Sequence, residues 1–221
     1  MAKSELLAEI PPYQRDARTK GTPMLGRGAI YPVPESDFVI PAIPIPDHWP
    51  RGYGLDVGWK RTAAVWGARD LDTDTVYLYA EHYMGRAEPA LHAAAIRAKG
   101  EWIPGCIDPA ARGRAQKDGE QLLQNYLDLG LDLEAASNSV EAGIEIVWTR
   151  LVSSRLKVFS TLANWLWEFR KYRRDDAGKI VKVDDHEMDA TRYLVQPSGL
   201  VRMKTRVRKQ HSRRGQIEFS G

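Results

Sequence analysis

Three extended segments follow one another between residues 51 and 84, joined by short connections. Apolar residues alternate with glycines and an aspartate in RGYGLDVG (51–58), which is the pattern of a β-strand. TAAVWGARD (62–70) and TVYLYAEHYM (75–84) follow as strands, and the LDTD link between them is typical of a tight turn. These segments predict an antiparallel three-strand meander.

Helical and extended patterns alternate after the meander. The sequence predicts helices over residues 87–100, 116–130, 140–154, 161–174 and 184–195, and strands within 102–108, 131–136, 156–160 and 175–183. Three meandering strands followed by alternating helices and strands predict an α/β fold, with a mixed sheet and helices on both faces.

Composition limits the class of protein. A chain of 221 residues with 43% apolar residues is long and apolar enough for one domain with a sizeable core plus appendages. No apolar run approaches the roughly 18 residues of a membrane span, and the N-terminus has no apolar secretory signal. The single cysteine, Cys106, rules out an internal disulfide and a thiolate-rich zinc site.

The chain divides into three parts by composition. Residues 1–50 are rich in proline and are interpreted as a linker or strap, since proline disfavours regular helices and central strands. Residues 51–197 carry the α/β pattern. Residues 198–221 form a basic tail, with seven Lys/Arg and no acid between 201 and 214. We expect this tail to be disordered, which does not prevent it from binding an anionic polymer.

Three aspartates stand at positions that packing alone does not favour. Asp56 lies inside an apolar strand, Asp108 ends a buried strand, and Asp189 follows Asp185 and His186 by one helical turn. Each has an ordinary explanation: a turn or ion pair for Asp56, a turn or helix start for Asp108, and a favourable helix dipole for the acids around Asp189.

Taken together, the three aspartates predict a metal site. If the strands that carry Asp56 and Asp108 are parallel neighbours, their carboxylates converge, and a helix crossing the strand ends adds Asp189. Carboxylates so close repel one another, and a divalent cation relieves that repulsion. Oxygen ligands without cysteine favour Mg²⁺ or Mn²⁺, and two such ions support phosphodiester hydrolysis.

This order of acids on this order of strands resembles the ribonuclease H-like nuclease superfamily, and more closely the nuclease domain of the large terminase subunit of tailed bacteriophages. The resembling stretches are GLDVGWKRTAAVWGA (54–68), IDPAARGRAQKDGEQL (107–122) and DHEMDATRYLV (185–195). Residues 11–33 also look like the segment that joins the terminase ATPase to its nuclease. The resemblance thus covers most of the chain except the basic tail.

The resemblance implies a site and its cofactors. Asp56, Asp108 and Asp189 would be the catalytic acids that hold two Mg²⁺ or Mn²⁺ ions, and Asp185 and His186 match positions that are sometimes additional ligands. Because the acid is doubled in Asp184-Asp185, the ligand of the third position stays open among Asp184, Asp185, His186 and Asp189.

The resemblance also implies a function and its partners. The chain would be an endonuclease that cuts double-stranded DNA during genome packaging in the host cytoplasm, without being part of the mature virion. Its partners would be DNA, the terminase small subunit, the portal protein and an ATPase domain of the same polypeptide, with no membrane. No GxxxxGK[ST] motif occurs, so we expect no ATP hydrolysis by this chain.

Basic residues near the three acids are candidates for contact with the DNA backbone, which positions DNA without reading its sequence. They are Lys60, Arg61, Arg112, Arg114, Lys117 and Lys182.

Three alternatives compete with this interpretation. An actin-like or sugar-kinase ATPase shares the GLDVG opening, but that fold needs two lobes and a longer chain. A Holliday-junction resolvase shares an HxxDA ending, as in residues 186–190. A non-catalytic DNA-binding or motor-docking module would explain the basic tail equally well.

Overall fold

A mixed β-sheet runs through the part of the chain that the computed structural model describes, residues 28–109 and 118–206. Its seven strands are β1 (Val39–Ile40), β2 (Arg51–Asp56), β3 (Thr62–Asp70), β4 (Thr75–Met84), β5 (Gly105–Ile107), β6 (Leu133–Ala135) and β7 (Leu156–Phe159). They lie in the order β1-β7-β4-β3-β2-β5-β6. The predicted meander is confirmed, since β2, β3 and β4 pair antiparallel, while β5 pairs parallel with β2.

Helices cover both faces of this sheet. They are α1 (Glu35–Phe38), α2 (Pro89–Arg97), α3 (Asp118–Asp128), α4 (Val140–Val152), α5 (Ala163–Lys171), α6 (His186–Val195) and α7 (Pro197–Arg202). Helices α2 and α3 pack on the face that carries Tyr53, Leu55 and Trp66. Helices α4, α5 and α6 pack on the opposite face. The predicted α/β architecture is confirmed. No helix in the described ranges is both long and apolar enough to cross a bilayer.

The described part of the proline-rich segment packs onto the domain. Ile30, Tyr31, Val33 and Phe38 are buried in the same core as helix α5, and the Phe38 ring meets the Phe169 ring at 4.9 Å. The two residues of β1 pair with β7 at one edge of the sheet, the position at which neighbouring prolines are tolerated. This segment is therefore a strap that contributes core residues.

The strand predicted within residues 175–183 is wrong. Gly178 N–H donates to Asp175 O at 2.9 Å and closes the predicted turn, but the segment then forms only the isolated bridge between Arg174 and Ile180. Its residues are mostly exposed. No described strand of the sheet pairs with them, so the apolar residues of this segment do not form a strand.

Residues at the start of the predicted basic tail pack against the domain. Helix α7 is followed by Met203, which is buried, and by Lys204, whose backbone pairs with that of Arg51. Arg202 and Lys204 both pair with Asp132. The expectation that residues 198–221 are disordered is therefore wrong for residues 198–206, because helix α7 and the contacts of Met203 and Lys204 place them on the domain. Residues 207–221 lie outside the described part of the chain.

Candidate metal centre

Helix α6 crosses strand β2 in direct backbone contact at Gly54. A Cβ atom at Gly54 would lie 1.8 Å from Ala190 O, so any other residue would push the helix off the strand. Side chains two residues apart point to the same face of a strand, so Asp56 points toward α6 as well. The crossing therefore sets the first turn of α6, with its acids and histidine, over the end of β2.

Asp56 contacts His186 at this crossing. His186 Nδ1 lies 2.8 Å from Asp56 Oδ2, and Asp56 is only 9% exposed. The pKa of Asp56 is raised to about 6 as the net result of several effects. Burial raises it most, the hydrogen bond with His186 lowers it, and the charges of Asp189 and Asp108 raise it. The same hydrogen bond raises the pKa of His186 above its usual value. The pair thus favours a protonated imidazole beside the Asp56 carboxylate.

Asp108 follows the strand next to that of Asp56. Leu55 pairs with Ile107 in parallel register, and Asp108 N–H donates to Leu55 O at 2.9 Å. The two aspartates therefore leave neighbouring strands at the same edge of the sheet, as the sequence predicts.

A tyrosine of helix α6 reaches Asp108. Tyr193 Oη lies 3.3 Å from Asp108 Oδ1, which is long for a hydrogen bond between oxygens. Burial raises the pKa of Tyr193, and the charges of Asp189, Asp56 and Asp108 raise it further. The charges of all three carboxylates therefore affect the pKa of this one hydroxyl.

Both oxygens of Asp189 are paired with cations. Arg192 Nη2 lies 2.6 Å from Asp189 Oδ1, and Lys182 Nζ lies 3.1 Å from Asp189 Oδ2. Lys182 Nζ also lies 2.9 Å from Asp185 Oδ2. Burial alone would lower the pKa of Lys182, but Asp189 and Asp185 raise it above its usual value. The ammonium of Lys182 thus lies between two carboxylates that stabilise its positive charge.

The four candidates for the third ligand differ in their surroundings. His186 contacts Asp56, whereas Asp185 and Asp189 share Lys182. Asp184 is paired instead with Lys171, whose Nζ lies 2.9 Å from its Oδ2. Asp184 is therefore the candidate that the observed contacts favour least.

The predicted DNA-contacting residues fall into two groups. Lys60 and Arg61 lie in the loop between β2 and β3, next to Asp56 along the chain, and Lys182 lies beside the acids of α6. Arg112, Arg114 and Lys117 lie outside the described residues.

Two residues that the sequence analysis missed hold the acids in place. Arg192 is 1% exposed and pairs with Asp189, and Tyr193 reaches Asp108. The spacing of three residues between Asp189 and Arg192 on one helix was a usable signal for the first pair. The contact between Tyr193 and Asp108 depends on how α6 crosses the sheet and has no local signal.

A buried glutamate also supports the first turn of α6. Glu168 of α5 is fully buried and accepts hydrogen bonds from the Tyr83 hydroxyl at 2.7 Å and from Glu187 N–H at 2.5 Å. Burial raises the pKa of Glu168 to about 7, against the effect of these two bonds. The Glu187 carboxyl is fully buried beside it without a hydrogen-bond partner, and burial raises its pKa well above the usual value.

The donor chemistry of this edge fits a divalent cation. In the side-chain positions described here, no three histidine, cysteine or acidic residues are near enough to one another to hold a metal ion. The carboxylates are nevertheless close enough for Asp189 and Asp108 to raise the pKa of Asp56. The ammonium of Lys182 already supplies a positive charge beside Asp189. Oxygen ligands of this kind suit Mg²⁺ or Mn²⁺.

Sequence comparisons point to one family. Residues 54–197 match a family model described as the terminase RNaseH-like domain. The large terminase subunit of Salmonella phage P22 is 32% identical over an alignment of 218 residues that covers 94% of this chain and 43% of that protein. This chain thus spans less than half the length of the curated relatives that it matches.

Structural comparisons agree with the family. The solved nuclease domain of the P22 large terminase is 31% identical, with a TM-score of 0.72 over 77% of this chain and 92% of that structure. The nuclease domain of the bacteriophage SPP1 large terminase, solved with bound Mn, has the same fold, with 20% identity and a TM-score of 0.54 over 73% of this chain and 96% of that structure. The predicted ribonuclease H-like fold is confirmed.

Proposed function

This chain belongs to the terminase RNaseH-like domain family, and on that basis we propose that it is a metal-dependent endonuclease that cuts double-stranded phage DNA during genome packaging. The cuts would be those that initiate packaging and end it when the head is full. The observation that carries the proposal is the placement of Asp56 and Asp108 on neighbouring strand ends beneath the first turn of α6, whose Asp189 raises the pKa of Asp56.

Asp56, Asp108 and Asp189, together with Asp185 or His186, would hold two divalent cations. The chemistry that two bound Mg²⁺ or Mn²⁺ ions supply is activation of a water and stabilisation of the leaving oxygen. The bound Mn of the SPP1 domain supports manganese as the first ion to test.

The remaining residues would position the acids and the DNA. His186 holds the Asp56 carboxylate and can carry a proton beside it, while Arg192 fixes Asp189 from the buried side. Lys60, Arg61, Arg112, Arg114, Lys117 and Lys182 would contact phosphates, which orients the duplex without selecting a sequence.

The partners follow from the same assignment. In the host cytoplasm the chain would act with an ATPase domain of the same polypeptide, the terminase small subunit and the portal protein. The large terminase subunits that it resembles are more than twice as long as the matched region, which leaves room for such a domain.

Nicking of supercoiled plasmid tests the proposal. We expect cleavage in Mn²⁺ or Mg²⁺, none in EDTA, and none with Asp56→Ala or Asp108→Ala, each shown to be folded by circular dichroism. Asp72→Ala is the matched control, because Asp72 is an exposed aspartate at the tip of the β3–β4 hairpin. Normal cutting by the Asp56→Ala variant would show that the site is wrongly assigned, and preference for a four-way junction over linear duplex would favour a resolvase.

A catalytically silent DNA-binding or motor-docking module is the second candidate. It is favoured by the contacts already present, since Lys182 and Arg192 pair with Asp189 while His186 contacts Asp56. Calorimetric titration with Mn²⁺ separates the two functions. The nuclease requires heat of binding that disappears in Asp108→Ala, and a silent module gives neither heat nor cleavage.

A further inference from the structure

Trp59 exposes its indole beside the candidate metal centre. It is 65% exposed, whereas Trp66 and Trp165, for comparison, are fully buried. A single exposed apolar residue is ordinary on a protein surface, so exposure alone carries no function. What distinguishes Trp59 from other exposed apolar residues is the set of cationic residues next to it.

Residues with cationic side chains adjoin Trp59 along the chain or through a backbone hydrogen bond. Lys60 and Arg86 are exposed, and the Arg61 guanidinium lies 4.2 Å from the centre of the Tyr83 ring, which fixes its position. We call Trp59, Lys60, Arg61 and Arg86 the Trp59 rim. An exposed aromatic ring among cations is the combination with which proteins bind the bases and phosphates of nucleic-acid strands.

The backbone under the rim is held by contacts between two loops. Arg86 N–H donates to Trp59 O at 2.8 Å, and the Thr62 hydroxyl donates to Gly58 O at 3.2 Å. A Cβ atom at Gly85 would lie 2.0 Å from Lys60 O, so the two loops touch backbone to backbone. Trp59 is thus presented from a supported position, which lowers the entropy lost when it binds a partner.

The distance to the site also fits a DNA strand. Trp59 follows Asp56 by three residues, so their Cα atoms are at most about 10 Å apart. Successive nucleotides of one strand of B-DNA rise about 3.4 Å. The backbone of Trp59 therefore lies within a length of roughly three nucleotides of the backbone of Asp56.

We propose that Trp59 stacks on an unpaired nucleobase of the DNA strand held at the metal centre, while Lys60, Arg61 and Arg86 contact the flanking phosphates. The inference rests on the proposed nuclease function. The faces of bases within a duplex are covered by their neighbours, so the indole reaches a base that local distortion has freed. The rim thereby favours DNA that is locally unpaired next to the cut.

Binding without metal tests this inference separately from cleavage. Fluorescence anisotropy in EDTA would compare a labelled duplex with a mismatched bubble against the same duplex fully paired. We expect Trp59→Ala to weaken binding to the bubble about 10-fold, as expected for the loss of one stacked base, with less than about a twofold change for the paired duplex. Trp59→Phe should keep most of the affinity for the bubble.

Leu71→Ala is the matched control, since Leu71 is 64% exposed in the β3–β4 turn, which lies at the opposite end of the strands from Asp56. Unchanged binding of the bubble by Trp59→Ala would overturn the inference, and so would an equal loss on both DNAs. Cleavage by the wild-type chain in Mn²⁺ is scored independently, so failure of the nuclease assignment is distinguishable from failure of stacking by Trp59.

Discussion

His186 Nδ1 lies 2.8 Å from Asp56 Oδ2 and joins the first turn of helix α6 to the end of strand β2. The contact holds the buried carboxylate in one orientation. It also offsets part of the rise in pKa that burial causes, so that the pKa of Asp56 is about 6. The hydrogen bond thereby favours the charged form of Asp56, which is the form that the proposed metal ligand would need.

Replacement of His186 should slow cleavage through loss of this orientation. We expect His186→Ala to reduce the nicking rate in Mn²⁺ by about 10- to 100-fold, the range typical when a residue that orients a metal ligand is lost. His186→Gln keeps a side-chain donor for Asp56 and should restore part of the rate. A wild-type rate in His186→Ala would mean that the contact has no role in the chemistry.

Lys182 would compete with a metal ion for the carboxylates of Asp185 and Asp189, because its Nζ lies 2.9 Å from Asp185 Oδ2 and 3.1 Å from Asp189 Oδ2. We expect Lys182→Met to lower the melting temperature in EDTA and to tighten Mn²⁺ binding on the order of 10-fold, or ~1.4 kcal/mol. Calorimetry measures the affinity. Lys171→Met is the control, since Lys171 pairs with Asp184 instead; equal Mn²⁺ affinities for wild type and Lys182→Met would refute the competition.

Arg192 stabilises the fold through Asp189, as its guanidinium is buried at 1% exposure and lies 2.6 Å from the carboxylate. Arg192→Met should lower the free energy of unfolding by up to about 3–5 kcal/mol, because the largely buried Asp189 carboxylate loses its buried partner and keeps only the more exposed Lys182. The control Arg170→Met breaks an exposed pair with Glu35 and should cost less than about 1 kcal/mol. Denaturant titration of both variants measures the difference, and similar losses would contradict this role.

The paired position of Asp189 also affects how its own variants are interpreted. Asp189→Ala removes a candidate metal ligand and leaves the buried Arg192 guanidinium without this carboxylate. Loss of activity in that variant therefore mixes chemistry with stability. Asp56 and Asp108 are the better positions at which to test the site.

The His82–His92 pair should make the fold sensitive to acid. His82 Nε2 lies 2.9 Å from His92 Nδ1, and burial, with the charge of His92, lowers the pKa of His82 to about 4 from 6.5. A pKa lowered by folding means that the unfolded chain binds the proton first, so the stability is present above pH 6.5 and is lost as the pH falls toward 4.

His82→Gln should therefore flatten the acid side of the stability profile, because glutamine does not take up a proton in this range. Chemical denaturation of wild type and variant across the interval between those two pKa values measures the slopes. Parallel slopes would show that the pair does not contribute to acid sensitivity.

The sequence predicted those features that local pattern controls. The extended patterns of residues 51–58, 62–70 and 75–84 predicted β2, β3 and β4. The condition for Asp56 and Asp108 to converge, parallel neighbouring strands, is met by β2 and β5. The position of Asp189 on a helix that crosses them followed from the same order of elements.

Other features depended on contacts between distant segments. Phe38 belongs to the core although it lies in a proline-rich stretch without periodicity, because it packs on helix α5. Glu168 is a fully buried acid whose neighbours come from β4 and α6, and no local pattern marks such a position. The apolar residues of 175–183 predicted a strand, but this segment does not pair with any described strand of the sheet.

Anomalous scattering from crystals soaked in manganese tests the account most directly. We expect two peaks about 3.5–4 Å apart, bounded by Asp56, Asp108 and Asp189, with the ammonium of Lys182 displaced from Asp189. Saturating manganese that leaves this edge without a peak, while Lys182 and Arg192 keep their contacts with Asp189, would contradict it.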